Sequence, residues 1–312
     1  MAQNDTGISA YGAPDEEVVS SLQTTDWNEE WKALQRARRA ADDAQYWNSR
    51  AKTFTTSDAP HSYSSQFLRL AQVTPGQTVL DMGCGTGTLA VPLALQGCRV
   101  IAADFSSAML EQLQARIEAT GAQGVEAKLL AWADDWEQAG LNERSVDVAI
   151  ASRSISTDDM GAALDKLTRI ARKRCCISLP TGCSPRTDPR VLELVGVRNT
   201  HGADHQYAWN ILQNRGLYPT CCYIPSMRKD TFDSLDEACA DMGRMIDEAL
   251  GQADDAEMSR AKDKLRAWLA QELVANEEAG EPDSKGRAQR KLRLREPRVV
   301  TWAFISWEPP QG

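Results

Sequence analysis

From residue 78 onward the chain alternates short, almost continuous apolar runs with stretches whose apolar residues recur at steps of three and four. The runs TVLDM, CRVIAAD, VEAKLLAW, VDVAIAS, RCCISLP and TCCYIP are each bounded by Gly, Pro or Asp, as expected of strands buried on both faces. Between the first five lie helical patterns over Leu89 to Gln96, Ser107 to Ala119, a short one near Asp135 to Ala139, and Met160 to Ala171. Such alternation predicts an α/β fold with a doubly wound, mostly parallel sheet.

On either side of this core the pattern changes. Residues 1–25 are rich in Gly, Ser and Asp with no sustained period, which predicts a loosely held arm. Asp26 followed by Glu29 reads as a capping box. Behind it Trp27, Trp31, Leu34, Ala37, Ala41, Ala44 and Trp47 mark one face of a helix over residues 27–50, within an N-terminal cap of 26–64. The core is expected over 65–230. Two further amphipathic helices, Leu235 to Leu250 behind Ser234 and about Asp255 to Glu277 behind Asp254, then form a helical insertion over 231–297. The run VVTWAFISW returns to the sheet as a last strand within 298–312. Asp204 reads as the N-cap of a helix over HQYAWNILQNRG.

With 312 residues, 42% of them hydrophobic, the chain can bury a sizeable core. No stretch approaches eighteen apolar residues and the first residues lack a basic, apolar leader, so a cytoplasmic protein with no membrane partner is expected. Eight cysteines without a C-x-x-C pair read as reduced thiols. A formal charge of −9 argues against broad attraction to nucleic acid. The run KGRAQRKLRLREPR, residues 285–298, holds seven Lys or Arg against one Glu, but without interleaved aromatics it reads as a charged loop or strand edge before an anion-recognising patch.

The chemistry is concentrated in VLDMGCGTGTLA, residues 79–90. A strand carrying Asp81 feeds a turn in which Gly83, Gly85 and Gly87 remove side chains, so a ligand can lie against bare backbone near the amides that open the next helix. The spacing is G-x-G-x-G. A nicotinamide fingerprint, G-x-G-x-x-G, would need glycine at Thr88. The next strand ends at Asp104, 21 residues after Gly83, where a carboxylate can accept hydrogen bonds from ribose hydroxyls, and Phe105 follows as a flat apolar surface.

These two stretches, VLDMGCGTGTLA and VIAADFSSAML, resemble motifs I and II of the class I S-adenosylmethionine-dependent methyltransferases. The resemblance implies a seven-stranded sheet whose antiparallel last strand lies between the fifth and sixth. It further implies S-adenosyl-L-methionine as cofactor, with Asp81, Gly83, Cys84, Gly85 and Gly87 around its methionine part, Asp104 on the ribose and Phe105 on the adenine. In AWADDW, Trp132 or Ala133 would pack on the adenine and Asp134 or Asp135 would meet its amine. The end of the fourth strand, ASRSIST, would face the sulfonium, so Ser152, Arg153 and Ser154 are candidates for the transfer site. Tyr46, Trp47, Arg50 and Phe54 resemble, more loosely, a helix that closes over the cofactor.

No base announces itself, and methyl transfer needs one only for a protonated acceptor. His61, His201, His205, Tyr46, Tyr63, Asp158 and Asp159 each read first as solvated loop or helix residues, and no metal site is expected. Three functions remain: methyl transfer to a small-molecule acceptor held under a helical lid, modification of RNA or protein, and cofactor binding without turnover. The first is favoured by the acidic charge and by the two additions, whose apolar faces (Trp27, Trp31, Leu34 and Trp47; Leu235, Cys239, Met242 and Ile246) need apolar partners and, where left uncovered, would wall a pocket.

Overall fold

The computed structural model describes residues 20–38, 48, 62–155, 157–184, 187–198, 203–251, 253–283 and 288–311. Most of the arm, the expected helix beyond residue 38 apart from Asn48 (hence Tyr46, Trp47, Arg50 and Phe54), and also His61, His201, Lys285 and Arg287 lie outside the described residues.

Seven strands form the main sheet: β1 (Thr78–Met82), β2 (Arg99–Asp104), β3 (Val125–Leu129), β4 (Val146–Ser152), β5 (Ala171–Pro180), β6 (Thr220–Arg228) and β10 (Arg298–Trp307). They pair in the order β3-β2-β1-β4-β5-β10-β6. Strands β1 to β5 are parallel, and β10 runs antiparallel to both β5 and β6, which places the carboxyl ends of the other six strands at one edge. The order reverses at β1, and the connections that leave β1 and β4 run to opposite faces of the sheet, the place where ligands bind in open α/β sheets.

Alternation along each strand divides the core into two layers. Leu80 and Met82 face a cluster with Trp31, Leu164, Leu167, Ile211 and Trp307, which belong to α2 (Trp27–Ala37), α6 (Met160–Ile170), α8 (Asp204–Asn214) and β10. Val79 faces the other, with Phe67, Leu93, Leu113 and Phe304, from α3 (Ser62–Ala71), α4 (Ala90–Leu95), α5 (Ser107–Thr120) and β10. Before α2 lies a single turn, α1 (Ser21–Thr24).

Several expectations need correction. The run VEAKLLAW is an edge strand that ends at Leu129, itself 63% exposed, because no strand covers the outer side of β3. No helix forms near Asp135 to Ala139. Asp135 Oδ1 accepts the amides of Glu137 and Gln138 while the buried Trp136 donates Nε1–H to Ala131 O, which closes a turn. Asp204 is not the N-cap of α8. It sits buried in the first turn, where Arg38 Nη2 donates to its Oδ1 at 2.5 Å. Strand β6 runs on through Pro225, which is tolerated because β6 is an edge.

The insertion contains a small sheet as well as helices. Helices α9 (Leu235–Ala249) and α10 (Asp255–Glu272), capped by Ser234 and Asp254, pack with a sheet of order β7-β9-β8, formed by β7 (Thr231–Phe232), β8 (Leu273–Ala275) and β9 (Leu292–Leu294). Its core joins Ala238, Met242, Ile246, Leu265 and Leu269 to Val191 of α7 (Pro189–Leu194), the helix that follows β5. Much of the two apolar faces is used in packing. Leu235, Cys239, Met242 and Ile246 lie in or against this core, and Trp31 is fully buried, donating Nε1–H to Thr157 O at 2.7 Å. Two residues of the basic stretch are paired within the fold: Arg290 with Glu237, and Arg298, whose Nε donates to Asp230 Oδ2 at 2.9 Å.

Candidate active site

Three positive-φ glycines shape the turn after β1: Gly83 at 73°, Gly85 at 54° and Gly87 at 78°. For two of them packing explains the choice. A Cβ on Gly83 would stand 2.2 Å from Ser154 Cβ, and one on Gly87 would stand 2.4 Å from Leu113 Cδ1. Among the described residues a Cβ on Gly85 would meet nothing within 4 Å, which leaves this backbone accessible to a ligand. Cys84 between them is buried, and burial pushes its thiol well above the ordinary range.

Two acids face the turn. Asp104 is buried, its Oδ2 accepting the Gly85 amide at 2.8 Å and its Oδ1 the Ser106 amide at 2.9 Å. Burial raises its pKa while those amides and that of Phe105 oppose the rise. A carboxylate offers about four acceptor positions, so beyond these three amides capacity remains for a hydroxyl donor. Ser106 then caps α5, accepting the Met109 amide at 3.2 Å and donating to Asn48 Oδ1 at 2.7 Å. Asp81 is 2% exposed, and its Oδ2 has no partner among the described residues. Desolvation and the nearby Asp104 push its pKa up to about 7, with the Ala90 amide at the start of α4 opposing them. A buried carboxylate oxygen without a partner is costly, and a bound cation would relieve it.

Phe105 is 36% exposed, immediately beyond Asp104. In the loop after β3, Trp132 stacks at 5.4 Å on Trp136 and donates Nε1–H to Ser154 O at 2.8 Å, which ties that loop to the end of β4. Ala133, Asp134 and Asp135 are exposed, with Asp134 Oδ2 accepting the Ala131 amide at 2.7 Å and Lys166 Nζ donating to the Trp132 and Asp134 carbonyls.

The end of β4 is held from several directions. Ser154 donates to Met82 O at 2.6 Å, while Arg153 adopts φ 62° and donates its amide to Ser178 Oγ at 3.1 Å. Tyr63 Oη, on α3, lies 2.7 Å from Ser152 Oγ and 2.6 Å from Ser178 Oγ. Sequence reasoning passed over Ser178, although a single hydroxyl inside the apolar run RCCISLP was a signal; Tyr63 was set aside as a solvated helix residue, yet it is 3% exposed. Trp302, whose ring centroid lies 5.6 Å from that of Tyr63, had no signal beyond its strand.

Residues 79–174, from β1 into β5, match the family model for a methyltransferase domain. A Haemophilus influenzae protein described only as uncharacterized is 30% identical over 250 residues, covering 80% of this chain and 82% of that one. The malonyl-[acyl-carrier protein] O-methyltransferase of Yersinia pestis is 33% identical over 108 residues, 34% of this chain and 37% of its own. Among solved structures, the YcgJ protein of Bacillus subtilis aligns with TM-score 0.48 at 12% identity, across 80% of this chain and 99% of that one. With a seven-stranded sheet whose antiparallel last strand sits inside the order, and with this acid-and-glycine turn, the chain belongs to the class I S-adenosylmethionine-dependent methyltransferases.

Proposed function

We propose that this protein transfers the methyl group of S-adenosylmethionine to a small-molecule acceptor bound at the carboxyl ends of β4 and β5. One observation carries the reading: the buried Asp81 carboxylate keeps one oxygen, Oδ2, without a partner among the described residues, at the end of the strand that feeds the Gly85 turn, with Asp104 nearby. A ligand with an ammonium group suits Asp81, and one with a ribose suits the remaining acceptor capacity of Asp104. Gly83, Cys84, Gly85 and Gly87 let the methionine part lie on backbone, Phe105 covers the adenine, and Trp132, Ala133 and Asp134 border it from the loop after β3.

The sulfonium, when bound, supplies an electrophilic methyl group. What the chain adds is alignment and exclusion of water. Ser152, Arg153 and Ser154 stand across the glycine turn from Asp104, in line for an acceptor. The loop after β4 is fixed by Ser154 on Met82 O and by Trp31 on Thr157 O. The insertion stands at the carboxyl edge above β5, β10 and β6, with Arg190 of α7 stacked 5.6 Å from the Trp268 ring, and we infer that it acts as the lid of the acceptor side.

Methyl-labelled cofactor, given with a host extract split into small-molecule, RNA and protein fractions, tests this function. Label is expected in the small-molecule fraction. Label confined to RNA or protein would replace the acceptor class, and no label with cofactor binding intact would leave a binding protein without turnover.

A further inference from the structure

The side chain of Arg153 leaves β4 and crosses the carboxyl end of β5. Its guanidinium carbon lies 4.8 Å from the Tyr63 ring centroid and 5.7 Å from that of Trp302, which belongs to β10. In the order β4-β5-β10 the strands that carry Arg153 and Trp302 are two spacings apart, roughly 9–10 Å, and the two side chains bridge that gap. The backbone that launches it is left-handed, a conformation costly for an arginine, and two bonds to Ser178 hold it there, from the Arg153 amide to Oγ at 3.1 Å and to the carbonyl at 3.3 Å. Tyr63, in turn, is fixed by its hydroxyl between Ser152 and Ser178.

The other arginines near this edge are spent. Arg190 is paired with Asp188 and Arg298 with Asp230. Arg153 pairs with no carboxylate and donates no side-chain hydrogen bond among the described residues, though it is exposed to the cleft edge. Stacking engages only the face of a guanidinium, and the five N–H donors along its planar rim stay free, a geometry that matches the oxygens of a carboxylate or phosphate. The position is also right. Asp104 on β2 and Arg153 on β4 flank the glycine turn of β1, so a ligand anchored by Arg153 lies on the side of the turn away from the ribose acid.

We propose that Arg153 is a specificity-determining residue that binds an anionic group, carboxylate or phosphate, on the methyl acceptor, with Tyr63 and Trp302 fixing the plane of its guanidinium. This rests on the methyltransferase reading above. The small-molecule fraction of the extract, incubated with labelled cofactor, is split on an anion exchanger into retained and unretained pools. Label is expected in the retained pool, and phosphatase treatment beforehand tells a phosphate ester, which then moves, from a carboxylate, which stays. For the labelled acceptor, Arg153→Met is expected to raise KM about 10- to 100-fold with kcat changed far less, because an anchor away from the reacting atom binds ground and transition states alike. Cofactor affinity by calorimetry should stay unchanged, and Arg153→Lys should recover part of the loss.

Label only in the unretained pool overturns the proposal, as does an unaltered KM in Arg153→Met. The pool result needs no variant, so a misfolded Arg153→Met still leaves it decisive. Absence of label from every pool, with cofactor still bound, ends the methyltransferase reading itself and this inference with it.

Discussion

On the β1–β2 side of the cleft, Asp81, the three glycines, Asp104 and Ser106 come from 26 consecutive positions, residues 81–106. On the β4–β5 side, Tyr63, Ser152, Arg153, Ser178 and Trp302 are gathered from a helix, two parallel strands and the antiparallel last strand, between residues 63 and 302. The first side is a local turn whose geometry follows from glycine and two acids. The second exists only once β10 has inserted between β5 and β6. One half can thus be inherited with a short motif, while the other changes with any element that reaches the sheet edge. At the mouth of the paired strands β1 and β4 the two halves meet through Ser154, which packs against Gly83 and donates to Met82 O.

That contact gives the strongest way to break the comparison. Gly83→Ala puts a methyl group on Ser154 Cβ at a positive φ, and the overpacking and backbone strain should together cost about 2–4 kcal/mol. Thermal unfolding should register the loss, and cofactor titration should show binding abolished. If binding survives, the halves are not coupled through this seat.

Asp104→Ala comes next. On the proposed reading it removes a charge-assisted ribose contact of about 1.5–3 kcal/mol, so cofactor affinity should fall about 10- to 100-fold. Unchanged affinity by calorimetry would remove Asp104 from the cofactor half. Tyr63→Phe tests the other half alone. Leaving the Ser152 and Ser178 hydroxyls without their shared partner should cost about 1–2 kcal/mol in a denaturant melt. Acceptor turnover should drop, with cofactor affinity within about twofold because the hydroxyl lies outside the turn.

The remaining effect is one of pH. The Asp81 carboxyl is raised to about 7 in the folded protein from 3.8, so between those values the folded state holds a proton that the unfolded state has lost. Stability of the cofactor-free protein from this group therefore falls as pH rises from about 4 to about 7, and the penalty is complete above that. Asp81→Asn should flatten this slope, by about 2–4 °C in Tm across the window for each kcal/mol of penalty removed. A slope identical to wild type would mean that Asp81 finds a partner.

The sequence by itself determined the β1–β2 half and the sheet that carries it, because both depend on short-range rules. Strand and helix periods are legible within a dozen residues, and only glycine accepts the positive φ at 83, 85 and 87 without strain. Strands β7, β8 and β9 escaped because two or three residues carry no period, and β9 lay inside a stretch that reads as solvated charge. Burial of Trp31, Met242 and Ile246 was legible as well, but not what would cover them. Only the tertiary structure decided that they close separate cores instead of walling a pocket, and that Arg153 lies on Tyr63 and Trp302. Periodicity tells which face of an element is apolar. Which strands become neighbours is settled by the whole sheet, and Arg153 acquires its role from a tryptophan 149 positions further along the chain.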